Sequence, residues 1–307
     1  MANSASSPAS GDSVSPASVE PASAERRAAR WMARLSINQM TTPRWSLEED
    51  LEHYAAAGIA GIGINWQKFD DDAAPSDAAR VRESPLRVSS LGWCGGFTGC
   101  SGQSFRETML DARRKLRVAR QLGASALVVI PGPQLTHIRS HAARLTMDAL
   151  RELADAAAES SIRIAVQPMH ELFRRGWTFL HTLEDTLALL DRVKRLNTGF
   201  CFGAYHLWKE PNLTSVLQQA IERIALVQLS DWREPPRCEN DRLVPGDGCI
   251  PLASILRTLE RGGYRGWYEI EVWSRDLWKR DHGDLMDLCR QRYQQLGAEV
   301  QRSLSPA

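Results

Sequence analysis

The chain has 307 residues, 43% hydrophobic and 24% charged, so it is long enough for one large core or two ordinary domains. Its 38 Lys and Arg against 37 Asp and Glu give a formal net charge of +1 at pH 7, which excludes a global field that attracts nucleic acid or an acidic membrane. No run approaches the roughly 18 to 20 consecutive apolar residues that cross a bilayer, so we expect no transmembrane role.

Residues 1–30 are predicted to be a disordered segment, because a stretch rich in Ser, Ala and Pro cannot bury a core. The segment lacks the basic start and apolar block of a secretory signal. The six cysteines are scattered without a Cys-x-x-Cys pair, which is typical of reduced thiols. We therefore predict a cytoplasmic protein with one globular domain at residues 31–300.

Short apolar runs alternate with amphipathic stretches along this domain, which is typical of βα units and a parallel sheet. Strands are predicted at residues 35–39, 61–65, 88–92, 126–131, 162–167, 199–203, 224–229 and 266–271. Helices are predicted at residues 47–57, 105–122, 142–160, 182–194, 213–221 and 252–261. Eight strands over roughly 270 residues fit an α/β protein with a (β/α)8 TIM barrel. A doubly wound sheet is the alternative, but no Gly-x-Gly-x-x-Gly directly follows the first strand.

Tryptophans cluster at the predicted strand ends, where a barrel of this type carries its chemistry. Seven of the ten lie at or just after strand C-termini: Trp45, Trp66, Trp93, Trp177, Trp208, Trp232 and Trp273. An indole offers a large apolar face and one N–H donor, which suits a sugar ring. We predict substrate contacts from Trp66, Trp93, Trp208, Trp232 and Trp273, with loop packing as the alternative explanation.

Polar residues end several of the same strands. Alternate side chains of a barrel strand point inward, so we expect Gln167, Gln228 and Glu271 to converge although they are distant in sequence. Arg242 lies in the long segment 230–249 and is predicted to bind a phosphate or carboxylate of the substrate. A solvated surface loop is the alternative for that segment.

Eight segments carry a resemblance to a known family: SINQ at 36–39, GIAGIG at 58–63, LGWCGGFTG at 91–99, AVQPMH at 165–170, GAYHLW at 203–208, VQLSDW at 227–232, PGDG at 245–248 and YEIE at 268–271. With them, residues 34–295 resemble the xylose isomerase-like TIM barrels. That superfamily includes sugar phosphate isomerases and epimerases and, more distantly, apurinic endonucleases of the endonuclease-four type.

The resemblance implies a divalent metal (Mn, Mg, Co or Zn) held by a Glu, an Asp, a His and a second Glu at the ends of the fifth to eighth strands. It also implies that the two glutamates move a proton between adjacent sugar carbons. Carried over position by position, the four ligands fall on Gln167, Gly203, Gln228 and Glu271. Only Glu271 matches, so most of the usual ligands are replaced.

Two substitutes for that centre remain open. A relocated metal site could use Glu271, His206 and Asp231, since imidazole and carboxylate groups bind divalent metals. A metal-free acid/base pair could instead use Glu271 with His170 or His206 as the catalytic residues.

The functional prediction is a sugar phosphate isomerase- or epimerase-like barrel that binds a carbohydrate-like small molecule at the C-terminal mouth. The alternative is a non-catalytic pseudoenzyme that binds a sugar-like ligand without metal. DNA cleavage would need a cluster of His and carboxylates beside a basic groove, which the sequence does not indicate, so neither nucleic acid nor membrane is an expected partner. The sequence leaves the oligomeric state open.

Overall fold

The structure, a computed structural model, describes residues 20–69 and 74–304. Its strands are β1 (Leu35–Asn38), β2 (Gly61–Asn65), β3 (Arg87–Gly95), β4 (Ala126–Ile130), β5 (Arg163–Val166), β6 (Thr198–Gly203), β7 (Ile224–Leu229) and β8 (Tyr268–Ile270). They form a closed barrel in chain order, all pairs are parallel, and β8 returns to pair with β1. The predicted (β/α)8 barrel is confirmed.

The helices surround this barrel. They are α1 (Glu20–Met32), α2 (Leu47–Ala56), α3 (Ala74–Glu83), α4 (Phe105–Leu122), α5 (Arg139–Ala156), α6 (Leu183–Val193), α7 (Ala204–Leu207), α8 (Leu213–Gln219), α9 (Leu252–Arg261) and α10 (His282–Leu304). Ser46 and Ser104 start α2 and α4 with capping boxes, in which each serine side chain accepts a backbone N–H three residues later. Across residues 20–69 and 74–304, no helix is long and apolar enough to cross a membrane.

Helix α1 overlaps the segment predicted to be disordered. Near its C-terminal end, Trp31 is buried, and its indole N–H donates to the backbone carbonyl of Tyr293 at 3.0 Å. The Trp31 ring also stacks on Tyr293 with centroids 4.9 Å apart, and packs on Tyr268 of β8 at 5.1 Å. This aromatic anchor holds α1 against α10, so the prediction of disorder does not hold for residues 20–30. Residues 1–19 lie outside the described part of the chain.

The interior of the barrel has an apolar side and a polar side. Strands β4 to β7 supply the apolar side chains Ala126, Val128, Ala165, Cys201 and Leu226. Strands β1, β3 and β8 supply the buried polar side chains Ser36, Asn38, Ser89, Ser90 and Glu269. The polar side continues toward the C-terminal ends of the strands, where the pocket described next begins.

Candidate functional site

A pocket lies at the C-terminal ends of the strands, where a (β/α)8 barrel carries its functional groups. Its polar and aromatic lining consists of Asn38, Trp93, Gln167, Phe173, Trp177, Gln228, Arg242, Glu271 and Trp273. The cavity volume is about 20 Å³, which is room for one water molecule and not for a sugar. A ligand of that size therefore needs the aromatic side chains to move apart.

Below the pocket, the carboxylate of Glu269 is fully buried and accepts four hydrogen bonds. Asn38 Nδ2 and Gln228 Nε2 donate to its Oε1 at 2.9 and 3.0 Å. The hydroxyls of Ser89 and Ser90 both donate to its Oε2 at 2.6 Å. Because β3 pairs with neither β1 nor β8, these contacts cross the barrel interior. Neutral donors from three other strands thus stabilise the carboxylate of Glu269.

Gly63 on β2 makes room for this carboxylate. A Cβ added at position 63 would lie 2.5 Å from Glu269 Oε2 and 2.7 Å from Asn38 Nδ2. Real Cβ atoms do not approach other atoms so closely, so the network requires a glycine at this position.

A chain of amides connects this network to the pocket. Gln167 Nε2 donates to Gln228 Oε1 at 2.7 Å. Gln228 Nε2 donates in turn to Glu269 Oε1 and, at 3.2 Å, to Glu271 Oε1. The structure therefore brings together Gln167, Gln228 and Glu271, the three residues that the strand pattern expects to converge.

Glu271 and Arg242 form a buried ion pair in the wall of the pocket. Arg242 Nη1 donates to Glu271 Oε2 at 2.6 Å, and both side chains are almost inaccessible, with 4% and 11% exposed. Burial raises the pKa of Glu271 above 4.5, since the desolvation of its carboxyl outweighs the opposing effect of Arg242. A guanidinium stays charged when buried, so Arg242 brings a permanent positive charge to the pocket.

His206 lies on the other side of the same guanidinium. Its Nε2 is 3.1 Å from Arg242 Nη2, and its Nδ1 is 3.3 Å from the backbone N–H of His170. Burial and the neighbouring Arg242 hold the pKa of His206 well below 6.5, so the ring is neutral at pH 7. Both ring nitrogens thus face N–H donors, and because a neutral imidazole accepts at one nitrogen only, the tautomer decides which of the two contacts is a hydrogen bond.

Comparison with known proteins identifies the family of this chain. A model of the family described as "Xylose isomerase-like TIM barrel" matches residues 51–292, which is most of the chain. The chain belongs to the xylose isomerase-like TIM barrel family.

Two relatives of this chain have the names of enzymes. The chain is 26% identical over 243 residues to a 3-dehydroshikimate dehydratase of Pseudomonas aeruginosa, and the match covers 75% of this chain but 36% of that protein. The chain thus spans about a third of the length of that relative. It is 23% identical over 260 residues to an inosose isomerase of Bacillus velezensis, a match that covers 80% of this chain and 90% of that one.

A solved structure of similar fold contains zinc. This IOLI protein with a binding zinc atom is 19% identical, superposes with a TM-score of 0.76, and matches over 87% of this chain and 99% of its own. At that identity the likeness shows the fold.

The side chains of this xylose isomerase-like barrel do not fit the divalent metal that the resemblance to the family implies. Both oxygens of Glu271 already accept N–H groups, Oε1 from Gln228 and Oε2 from Arg242. Gly203 has no side chain, and the amides of Gln167 and Gln228 carry no charge with which to hold a cation. Within the described residues, no three His, Cys, Asp or Glu side chains form a group that could hold a metal ion.

Asp231 does not join Glu271 and His206 in such a group, contrary to the relocated metal site left open by the sequence. Its carboxylate accepts three backbone N–H groups, from Trp232 at 2.8 Å, Gly246 at 2.8 Å and Ile250 at 2.9 Å. Asp231 therefore organises the loop after β7, and its oxygens are occupied there.

The two predicted histidine partners of Glu271 differ in position. His206 reaches Glu271 through Arg242, which contacts both. His170 does not line the pocket. Its Nδ1 accepts the backbone N–H of Leu172 at 3.3 Å, and its ring packs on Trp232 at 5.0 Å. A direct Glu271–His170 pair is therefore not formed, and the contact of His206 with Arg242 suits a positioning role.

Three indoles line the pocket. The rings of Trp93, Trp177 and Trp273 pack on one another with centroid distances of 5.1 to 5.8 Å. Trp93 and Trp273 are two of the tryptophans predicted to contact the substrate. Trp177 is among the tryptophans predicted to lie at strand ends, but it is not among those predicted to contact the substrate. Its position after the strand end was the signal that could have selected it.

The other predicted indoles lie elsewhere. Trp66 stacks on Phe69 beneath the side chain of Lys115. Trp208 and Trp232 pack together at 6.2 Å, and Trp232 is buried with its N–H donating to Glu234. Loop packing is thus the better account of these three tryptophans, because their rings pack on other aromatic side chains and none of them lines the pocket.

Sequence reasoning missed the hydroxyls of Ser89 and Ser90. Two adjacent serines inside a strand that is otherwise rich in apolar residues were the available signal. Neighbouring residues of a regular strand point to opposite faces, so only the irregular register of β3 lets both serines reach Glu269.

Proposed function

We propose that this chain binds a small carbohydrate-like molecule in the pocket and moves a proton on it, as an isomerase, epimerase or dehydratase does. The observation that carries the proposal is Glu271, a buried carboxyl at the end of β8 that lines the pocket. Relatives named inosose isomerase and 3-dehydroshikimate dehydratase support the same class of chemistry.

One step is common to these reactions. A base removes a proton from the carbon next to a carbonyl group, and the electron pair moves onto the carbonyl oxygen. In an isomerase the proton then returns to the former carbonyl carbon, while the proton of the adjacent hydroxyl passes to the oxygen. In an epimerase a second acid protonates the original carbon from the opposite face. A dehydratase expels a hydroxyl group, which leaves with a proton as water. Glu271 suits this step because its raised pKa lies closer to neutral pH than that of an ordinary carboxyl.

The lining of the pocket supports a carbohydrate-like ligand. Trp93, Trp177 and Trp273 provide flat apolar faces, and Asn38 and Gln167 provide amides that can bind hydroxyl groups. Since the closed cavity holds about one water molecule, binding must move the indoles. Ligand binding should therefore change the tryptophan fluorescence.

The first experiment is a fluorescence screen of keto-sugars, their phosphates and cyclic keto-polyols, followed by NMR in D₂O to detect exchange of the C–H next to the carbonyl. Glu271→Gln should slow that exchange by about 10³-fold, the usual contribution of a general base, and change the Kd by less than about threefold. Glu239→Gln, on an exposed residue of the loop after β7, is the matched control and should exchange at the wild-type rate.

The outcomes separate the enzyme from the non-catalytic alternative. Exchange that depends on Glu271 supports the proposed reaction class. Binding without exchange in the wild-type protein would refute it and favour the pseudoenzyme that binds a sugar-like ligand.

A further inference from the structure

We propose that the guanidinium of Arg242 takes the place of a divalent cation in this pocket and stabilises the negative charge on the carbonyl oxygen of the ligand. The inference rests on the function proposed above and assigns its electrophilic group. In a family with a zinc-containing structural relative, this chain would then carry out its reaction without a metal ion.

The contacts of Arg242 are those that a bound cation would make. Its guanidinium touches the carboxylate of Glu271 at 2.6 Å and the Nε2 of His206 at 3.1 Å, and the residue also lines the pocket. Carboxylate oxygen and imidazole nitrogen are typical ligands of divalent metals. A metal ion near these two atoms would meet the positive charge of Arg242, so guanidinium and metal exclude each other.

The surroundings hold Arg242 in this position. Its guanidinium carbon lies 4.9 Å from the ring centre of Tyr205 and 5.6 Å from that of Trp273. Aromatic faces attract a guanidinium, and they limit its movement. A flexible surface arginine lacks such constraints, so the position of this charge is set before a ligand binds.

Gly203 completes the arrangement on the side of β6. A Cβ added there would lie 3.1 Å from Cδ2 of His206, so the histidine ring fills the space that a side chain at this position would need. The loss of one potential ligand at Gly203 and the placement of His206 against Arg242 are therefore linked.

Arg242 has donor capacity to spare. Its Nε is buried and, in the described part of the chain, has no hydrogen-bond partner. Of the five N–H groups of the guanidinium, three face Glu271 and His206, so the Nε–H and one Nη2–H are left for a ligand oxygen that reaches them.

The step balances without any further reactant. Glu271 accepts the proton from the carbon next to the carbonyl, the C–H electron pair forms the new C=C bond, and the carbonyl π pair moves to the oxygen. The N–H groups of Arg242 donate to that oxygen as its negative charge develops, which lowers the energy of the transition state. The proton then returns from Glu271 to the former carbonyl carbon while the proton of the adjacent hydroxyl passes to the negatively charged oxygen, which forms the isomerised carbonyl compound without oxidation or reduction.

The first test uses wild-type protein and Mn²⁺, with the free ion measured by electron paramagnetic resonance. We expect binding weaker than about 1 mM, because Arg242 repels the ion and a single available glutamate cannot hold it. Tighter binding in the pocket, shown by quenching of the tryptophan fluorescence, would overturn the inference. This test needs no ligand.

The second test uses the exchange assay with EDTA-treated protein. Exchange should persist within about twofold after chelation and fall by about 10²–10³-fold in Arg242→Ala, which is the usual effect of losing one donor to a developing oxyanion. Methylguanidinium added to Arg242→Ala should restore part of the rate. Arg275→Ala, on an exposed arginine whose backbone N–H donates to Asn240 two residues before Arg242, is the control that should behave like wild type.

These results distinguish a chemical from a merely structural role. Loss of exchange on chelation would overturn the inference, and so would a folded Arg242→Ala variant that exchanges at the wild-type rate. If Arg242→Ala does not fold, Arg242→Lys decides: retention of about a tenth of the rate supports a role for the positive charge, and complete loss in a folded protein refutes it. Absence of exchange in wild type would instead refute the proposed function, whereas the Mn²⁺ titration tests Arg242 separately.

Discussion

Glu269 and Glu271 lie two residues apart on the same face of one strand, yet their surroundings differ. Four neutral donors from β1, β3 and β7 surround Glu269 inside the barrel. Glu271 instead pairs with the guanidinium of Arg242 at the edge of the pocket. The comparison teaches that the position along the strand decides the surroundings: the fold satisfies the hydrogen bonds of the inner carboxylate, and the outer carboxylate lines the pocket.

The largest expected effect comes from separating the ion pair of the pocket. Arg242→Met alone, or Glu271→Met alone, should lower the free energy of unfolding by about 3–5 kcal/mol, because each leaves a buried charge without its partner. The double variant should be more stable than either single variant, since no unpaired charge remains. Urea denaturation of the three variants measures this.

A loss of stability in the double variant equal to the sum of the two single losses would contradict a coupled pair. Glu269→Gln is the contrasting change in the other region, because an amide keeps the shape of the side chain and the serine hydroxyls can rotate to accept its N–H. It should cost only about 1 kcal/mol.

A second expected difference concerns the glycines beside the two carboxylate regions. Gly63→Ala should cost about 2–3 kcal/mol, because its Cβ would lie 2.5 Å from Glu269 Oε2 in a network that cannot shift. Gly203→Ala should cost about 1 kcal/mol or less, because its Cβ meets only the edge of His206 at 3.1 Å. Thermal unfolding of both variants measures the two losses of stability. A larger loss for Gly203→Ala would contradict the expectation that the network around Glu269 is the more rigid of the two regions.

The third expected difference concerns the pH dependence of stability. The pKa of His206 is well below 6.5 in the folded protein, so below pH 6.5 the unfolded chain binds a proton that the folded chain does not. Its contribution to stability is therefore full above pH 6.5 and is lost as the pH falls. His206→Asn should flatten this slope by up to about 1.4 kcal/mol per pH unit between pH 5 and 6.5.

Glu271 should act in the opposite direction. Its raised pKa makes its contribution full below pH 4.5 and lost as the pH rises through the folded value, and Glu271→Gln should remove that loss. The exposed His53 serves as the control, because His53→Asn alters no contact of the pocket. Unfolding curves in urea from pH 4 to 8 provide the measurement, and parallel profiles for His206→Asn and wild type would contradict the assignment.

The fold was predictable from the sequence because strand and helix patterns are local. The eight apolar runs coincide with β1 to β8, and their inward alternation brings Gln167, Gln228 and Glu271 together. The directions of long loops are not local. Arg242 was expected to bind a substrate anion from a loop over the mouth, whereas its guanidinium lies in the pocket wall against Glu271.

The remaining differences have the same origin. Trp66, Trp208 and Trp232 follow strand ends as Trp93 and Trp273 do, and only tertiary packing separates the two sets. The cytoplasmic location stays a prediction, and the oligomeric state stays open.

The contact between Gly203 and His206 also affects how the pocket can change during evolution. An Asp introduced at position 203 would press on the ring of His206, whose edge lies 3.1 Å from the added Cβ. A Glu introduced at position 167 would add a third carboxylate to the region of Glu269 and Glu271. The two changes act on neighbouring groups of one pocket, so their effects on stability should be epistatic and not additive.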